Sequence, residues 1–102
     1  MMKSFGDMVK QAQKMQKQMT QLQEQFAEER YEASAGGGAV TAIVDGKQML
    51  KSLTIKPEAL ADGDHALLED LIVAAVGEAQ RASEQKMNDS LSKLTGGFPL
   101  PF

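Results

Sequence analysis

Lys3, Lys10 and Lys17 recur at intervals of seven residues, with Lys14 between the last two. Residues seven apart on a helix lie on nearly the same face, about 10 Å from one another. A row of ammonium groups at that pitch suits contact with phosphates, which it would position without reading base sequence. An ordinary solvated helix face interleaves both signs at i,i+4, yet here only Asp7 accompanies the four lysines. Arg81, Lys86 and Lys93 form a second, weaker basic group, diluted by Glu84 and Asp89.

Other chemistry finds little footing. His65 is the only histidine, and a lone His with no Cys and no nucleophile motif makes no triad. Gly36-Gly37-Gly38 precedes a strand-like run and lacks the Gly-Lys-Ser/Thr that opens a phosphate-binding helix, so it reads as a turn. Asp62, Asp64 and Glu69 lack the spacing of a calcium loop and read as helix capping. The expectation is a non-enzymatic chain with no cofactor and no metal site.

Composition agrees with that reading. The chain has 102 residues, 25% charged and 42% hydrophobic, which suits one domain with one modest core and leaves little room for a deep catalytic cavity. The absence of Cys excludes a disulfide framework and fits a reducing compartment. The longest apolar run, Leu71 to Val76, is far short of the roughly 20 residues that span a bilayer, and no signal-peptide core follows Met1. These features point to the cytoplasm and to no membrane partner. Net charge is −3, but residues 1 to 19 carry +3 (four Lys against Asp7), so the remainder carries −6. A basic arm is joined to an acidic body.

The elements that must position the lysines follow from periodicity. Phe5, Met8, Ala12, Met15, Met19, Leu22 and Phe26 are spaced alternately by three and four, a heptad a/d pattern in which Val9 is the only other sizeable apolar residue. The stripe is narrow and needs a partner along one seam. In this register Lys3, Lys10 and Lys17 occupy f, opposite the seam, with Lys14 at c beside them. Phe5 and Phe26 belong to the seam, which argues against stacking on single strands and for duplex binding. Met8, Met15 and Met19 read as flexible residues of an ordinary helix contact. Gln fills most e and g positions. The helix is expected from about Ser4 to Glu28 or Glu29, about 37 Å long, which exceeds the core such a chain can build, so one end must project.

After Arg30 the period changes to two. Tyr31 to Ala35, Ala39 to Val44 and Met49 to Lys56 read as strands, separated by the glycine turn and by Asp45-Gly46, a short hairpin signal, and ended by Pro57. They predict an antiparallel meander with Leu53 and Ile55 on one face. Asp62 or Asp64 caps a second long helix from near His65, broadly apolar through Ala79 and more narrowly so through Leu94, before Gly96-Gly97 stops it. Phe98-Pro99-Leu100-Pro101-Phe102 is an extended apolar tail. The fold class is α+β with an αβββα order over one domain: a basic helix over 1–29, a sheet over 30–57, a second helix over 64–95 and a tail over 96–102.

Tyr31 to Thr41, Leu68 to Val76 and Lys93-Leu94-Thr95-Gly96-Gly97 resemble the signature blocks of the YbaB/EbfC family of bacterial nucleoid-associated proteins, in the right order over nearly the whole chain. The resemblance implies a tweezer-like homodimer joined through its sheet region. It also implies double-stranded DNA as partner of the projecting helices and a role in nucleoid organisation or gene expression. Lys3, Lys10, Lys14 and Lys17 are then the first candidates for DNA contact, followed by Arg81, Lys86 and Lys93. The alternative is a protein-interaction adaptor whose Gln- and Met-rich helices grasp DNA repair or recombination proteins.

Overall fold

Ser4 caps the first helix: its Oγ accepts from the Asp7 N–H at 3.2 Å. A computed structural model describes residues 4–61 and 63–94; Lys3, Asp62 and the 96–102 tail lie outside those residues. The order is α1 (Phe5–Glu28), β1 (Tyr31–Ala35), β2 (Val40–Val44), β3 (Leu50–Ile55), α2 (Pro57–Ala61) and α3 (His65–Leu94). The αβββα expectation is met, with one addition: α2 is a single turn begun by Pro57, whose fixed φ and missing N–H suit a first helical position. Asp64 rather than Asp62 is the cap seen on α3, its Oδ1 accepting from Leu67 N–H at 3.0 Å.

The strands form an antiparallel sheet in the order β1-β2-β3. Ala33 faces Ala42 and Ala42 faces Leu53, and the β2/β3 register slips between Ile43 and Val44, so that Val44 pairs with Leu50. A slip of this kind is a β-bulge, which bends and twists the edge strand. α3 lies across β1 and β2. Val40, Ala42 and Val44 from the sheet and Ala75 and Ala79 from the helix form the buried centre, with Tyr31, Leu68, Leu71, Ile72 and Val76 around it. The two helix alanines are what let the backbone come close to the sheet. β3 contributes only Ile55 to this core, and Leu50 and Leu53 are exposed although they sit on the same face of the sheet.

Asp45-Gly46 does mark the β2/β3 connection, but for a different reason than a two-residue turn. The connection runs from Asp45 to Met49, and its left-handed residue is Gln48 (φ 67°). Gly46 is glycine because α1 ends against it: a Cβ there would lie 2.5 Å from the Phe26 carbonyl oxygen and 2.8 Å from Phe26 Cα. The glycines at 36 to 38 all have positive φ, as the turn reading requires.

The molecule measures 73 × 21 × 16 Å with a radius of gyration of 19.7 Å. A compact chain of this length would have a radius of gyration of about 13 Å. The difference is the pair of helices, which run far beyond the sheet.

Candidate nucleic-acid interface

The arm that carries the lysines is fixed to the body at one end. Gly46 N–H donates to the Phe26 carbonyl at 2.7 Å, Glu29 N–H donates to the same oxygen at 3.1 Å, and Arg30 Nη1 donates to the Ala27 carbonyl at 3.0 Å. The last turn of a helix leaves four carbonyls without intrahelical partners, and these bonds satisfy two of them. Beneath this joint lies Asp45, buried, whose Oδ1 accepts from Lys47 N–H at 2.8 Å and Met49 N–H at 3.0 Å, with Lys51 Nζ at 3.7 Å from Oδ2. Burial works to raise its pKa. The two backbone donors and the Lys51 and Arg30 charges outweigh burial and hold the carboxyl below the ordinary aspartate value. α3 locks onto the same loop, Ser83 Oγ donating to the Asp45 carbonyl at 2.7 Å and Gln80 Nε2 to the Gln48 carbonyl at 3.2 Å.

Beyond the joint, the narrow second half of α3 is the partner that the α1 seam requires, over one stretch only. Met19, Gln23 and Phe26 share a hollow of about 420 Å³ with Met87, Leu91 and Lys47. On the other side of the helix pair, Gln18, Gln21, Leu22 and Gln25 face Ser90 and Lys93. Phe26 is 4% exposed and Leu91 6%. Outward from there the seam is open: Met15 is 69% exposed, Met8 59% and Phe5 80%. The expected helix contact therefore holds for Met19 and fails for Met8 and Met15. Phe5, assigned to a covered seam, is an accessible aromatic, because α3 stops before reaching it.

Lys10, Lys14 and Lys17 are all exposed on α1. At 100° per residue they fall within an arc of about 60°, on the side away from the apolar stripe. No salt bridge joins them to an acid among the described residues. The second basic group does not assemble. Arg81 is tied to Glu78 at 2.7 Å and sits about 140° around α3 from Lys86, whereas Lys86 and Lys93 share a face. Lys93 lies beside Gln21, one heptad from Lys14 on the same side of α1, and so extends the α1 lysines rather than a patch of its own. Lys47, exposed at the edge of the hollow under α1, was not among the sequence candidates. Only its place in the β2/β3 connection brings it near the arm. His65 is exposed at the start of α3, and among the described residues no cluster of His, Cys, Asp or Glu is placed to hold a metal.

A basic helix anchored at one end on a three-stranded sheet has counterparts among known proteins. The model of the YbaB/EbfC DNA-binding family matches residues 2–98. The chain belongs to the YbaB/EbfC DNA-binding family. Among family relatives, a nucleoid-associated protein of Acetivibrio thermocellus is 48% identical over 95 residues, covering 93% of this chain and 84% of that one. One from Alkaliphilus metalliredigens is 46% identical over 98 residues, covering 96% and 86%. The fold is shared with the crystal structure of an uncharacterized protein, HP0035, of Helicobacter pylori: TM-score 0.83 and 20% identity, over 92% of this chain and 99% of that one. No helix among the described residues of this YbaB/EbfC protein is long and apolar enough to cross a membrane.

Proposed function

We propose that this chain is a non-enzymatic nucleoid-associated protein that binds duplex DNA through the lysine face of α1, acting on nucleoid organisation or gene expression. The observation that carries the reading is the exposed, unpaired row of Lys10, Lys14 and Lys17 on a helix that leaves the body, in a chain of a DNA-binding family. Lysine supplies point charge to phosphate and little base discrimination, so sequence specificity is low. Lys3, one heptad further out, and Lys93, beside the arm, extend the contact. Lys86 shares the face of Lys93, and Arg81 has the weakest claim because Glu78 neutralises it.

A homodimer joined through the sheet would present two such arms. Its support here is β3, an edge strand with Leu50 and Leu53 exposed on the core side of the sheet and Met49 exposed beside it. An uncovered apolar edge of this kind invites pairing. A nucleoid location within the cytoplasm follows from the same reading.

The test is fluorescence anisotropy of the full chain with an unrelated duplex over a salt series, with the mass in solution determined alongside. Each phosphate neutralised by a lysine contributes about −0.9 to the slope of log K against log salt. Exchanging Lys10, Lys14 and Lys17 for Glu abolishes binding while the circular dichroism spectrum is unchanged. Wild-type binding by that variant, or no binding by the native chain at low salt, overturns the proposal and turns the search to repair or recombination proteins as partners.

A further inference from the structure

Outward of Met19 the apolar stripe of α1 is open over about 15 Å, between residues 5 and 15, and no described residue covers it. Its heptad places there are Phe5, Met8, Ala12 and Met15. A seam of this spacing fits another helix, whose side chains enter the holes between those residues. The e and g places beside it are Val9 and Gln11, with Ser4 and Gln16 at the two ends, so no charge on the flanks repels an identical helix. Reversed about its midpoint, between Met8 and Ala12, the stripe complements itself: Phe5 falls opposite Met15, and Met8 opposite the small Ala12. The same two-fold sets Val9 beside Val9 on one flank and Gln11 beside Gln11 on the other. Val9 is the one sizeable apolar residue of α1 outside the stripe, and it stands where this arrangement would cover it. A parallel copy would drive its residues 19–26 into α3, which already lies along that stretch, whereas an antiparallel copy leaves the two bodies at opposite ends.

We propose that the open stripe of α1 pairs antiparallel with the same stripe of a second copy of this chain, arm tip over arm tip. The seam enlists Phe5, Met8, Val9, Gln11, Ala12 and Met15 of each copy, far fewer than the roughly 20–30 residues a side of a standard interface. The contact is therefore weak and rises with protein concentration. Lys10, Lys14 and Lys17 lie on the far side of each helix, so paired arms present their lysine faces in opposite directions. Neither the β3 edge nor DNA enters this contact, so it stands or falls separately from the homodimer and the DNA binding proposed above.

The chain has no Cys, so single cysteines introduced into the full chain report on the register directly. Chains carrying Met8→Cys and chains carrying Ala12→Cys are mixed in equal amounts, without DNA, and oxidised. Because bridging needs Cα atoms within about 7 Å, the mixed disulfide between position 8 of one chain and position 12 of the other should form about tenfold faster than either variant bridges to itself. Self-bridging as fast as mixed bridging, or no bridging at all, overturns the proposal. A second measurement keeps every stripe residue in place. Val9→Lys, on an exposed helix position, sets two ammonium groups against each other at the two-fold. In the native chain, peroxide oxidation of Met8 and Met15 should slow severalfold as protein concentration rises, and in the Val9→Lys chain it should stay fast at every concentration. Protection that does not depend on concentration assigns the cover to the chain itself and overturns the proposal, as does protection that survives Val9→Lys.

Discussion

The same substitution, Gly to Ala, has opposite consequences at two positions. At Gly46 an added Cβ would stand 2.5 Å from the Phe26 carbonyl oxygen, 2.7 Å from Glu29 Oε1 and 2.8 Å from Phe26 Cα. Two of these are backbone atoms at the end of α1, so no side-chain rotation relieves them. Overpacking of this kind costs about 1–3 kcal/mol, and displacing α1 also breaks the Gly46 N–H bond to the Phe26 carbonyl, worth about 1 kcal/mol. Gly46→Ala therefore destabilises by about 2–4 kcal/mol, and for a chain of this size each kcal/mol moves Tm by about 5 °C. At Gly77, inside α3, the added methyl meets only the Arg81 guanidinium, no nearer than 3.7 Å. Gly77→Ala gains about 0.5–1 kcal/mol from helix propensity. Both are read by circular dichroism melting at one fixed protein concentration, since association would shift Tm. Tm should fall by about 10–20 °C in the first variant and rise by about 3–5 °C in the second. A Gly46→Ala protein that melts with the wild type would refute the claim that glycine is there to admit α1.

Asp45 gives a pH dependence of defined sign. Its folded pKa is lowered, so the stability it contributes is present above the unfolded value of about 3.9 and is lost as pH falls through the folded value. Asp45→Asn keeps an oxygen for both backbone donors, costs about 1 kcal/mol or less near neutrality, and should flatten that acid limb in urea titrations at several pH values. Ser83→Ala removes the buried bond to the Asp45 carbonyl, which still accepts from Gln48 N–H, and should cost about 1 kcal/mol in the same titrations. Leu53→Lys places a charge on the uncovered edge of the sheet; under the proposed homodimer, sedimentation should show native-chain dimers and variant monomers with the fold retained, and equal masses for the two would overturn an interface at that edge.

The order of the two long helices and the three strands was legible because each of these announced itself by period. The heptad stripe of α1 and the β-branched alternation of β2 are strong signals, and α3 changes from a broad apolar face to a narrow one where it leaves the sheet for α1. What escaped depends on distances between elements. Asp45-Gly46 located the right loop, but the requirement for glycine comes from Phe26, twenty residues earlier, which no local pattern encodes. The stripe stated that α1 needs a partner without stating that α3 ends too soon to cover Phe5, Met8 and Met15. Arg81, Lys86 and Lys93 looked like one group when counted along the chain, and the helix turns them apart. α2, Pro57–Ala61, is too short to show a period at all.

Held at the Gly46 joint and beside α3 out to Met19, and uncovered by any described residue beyond it, α1 is a lever. Lys10 lies nine residues beyond Met19, about 14 Å along the axis, so a rotation of about 15° there swings the ammonium through about 3.5 Å, comparable with the axial rise of about 3.4 Å between successive phosphates of one strand. In the proposed DNA complex, small compliance where Met19 meets Met87 and Leu91 would thus be amplified into a whole step of the DNA backbone. The stiffness of that apolar contact, which holds none of the α1 lysines, would set how uniformly the arm can match grooves of different width.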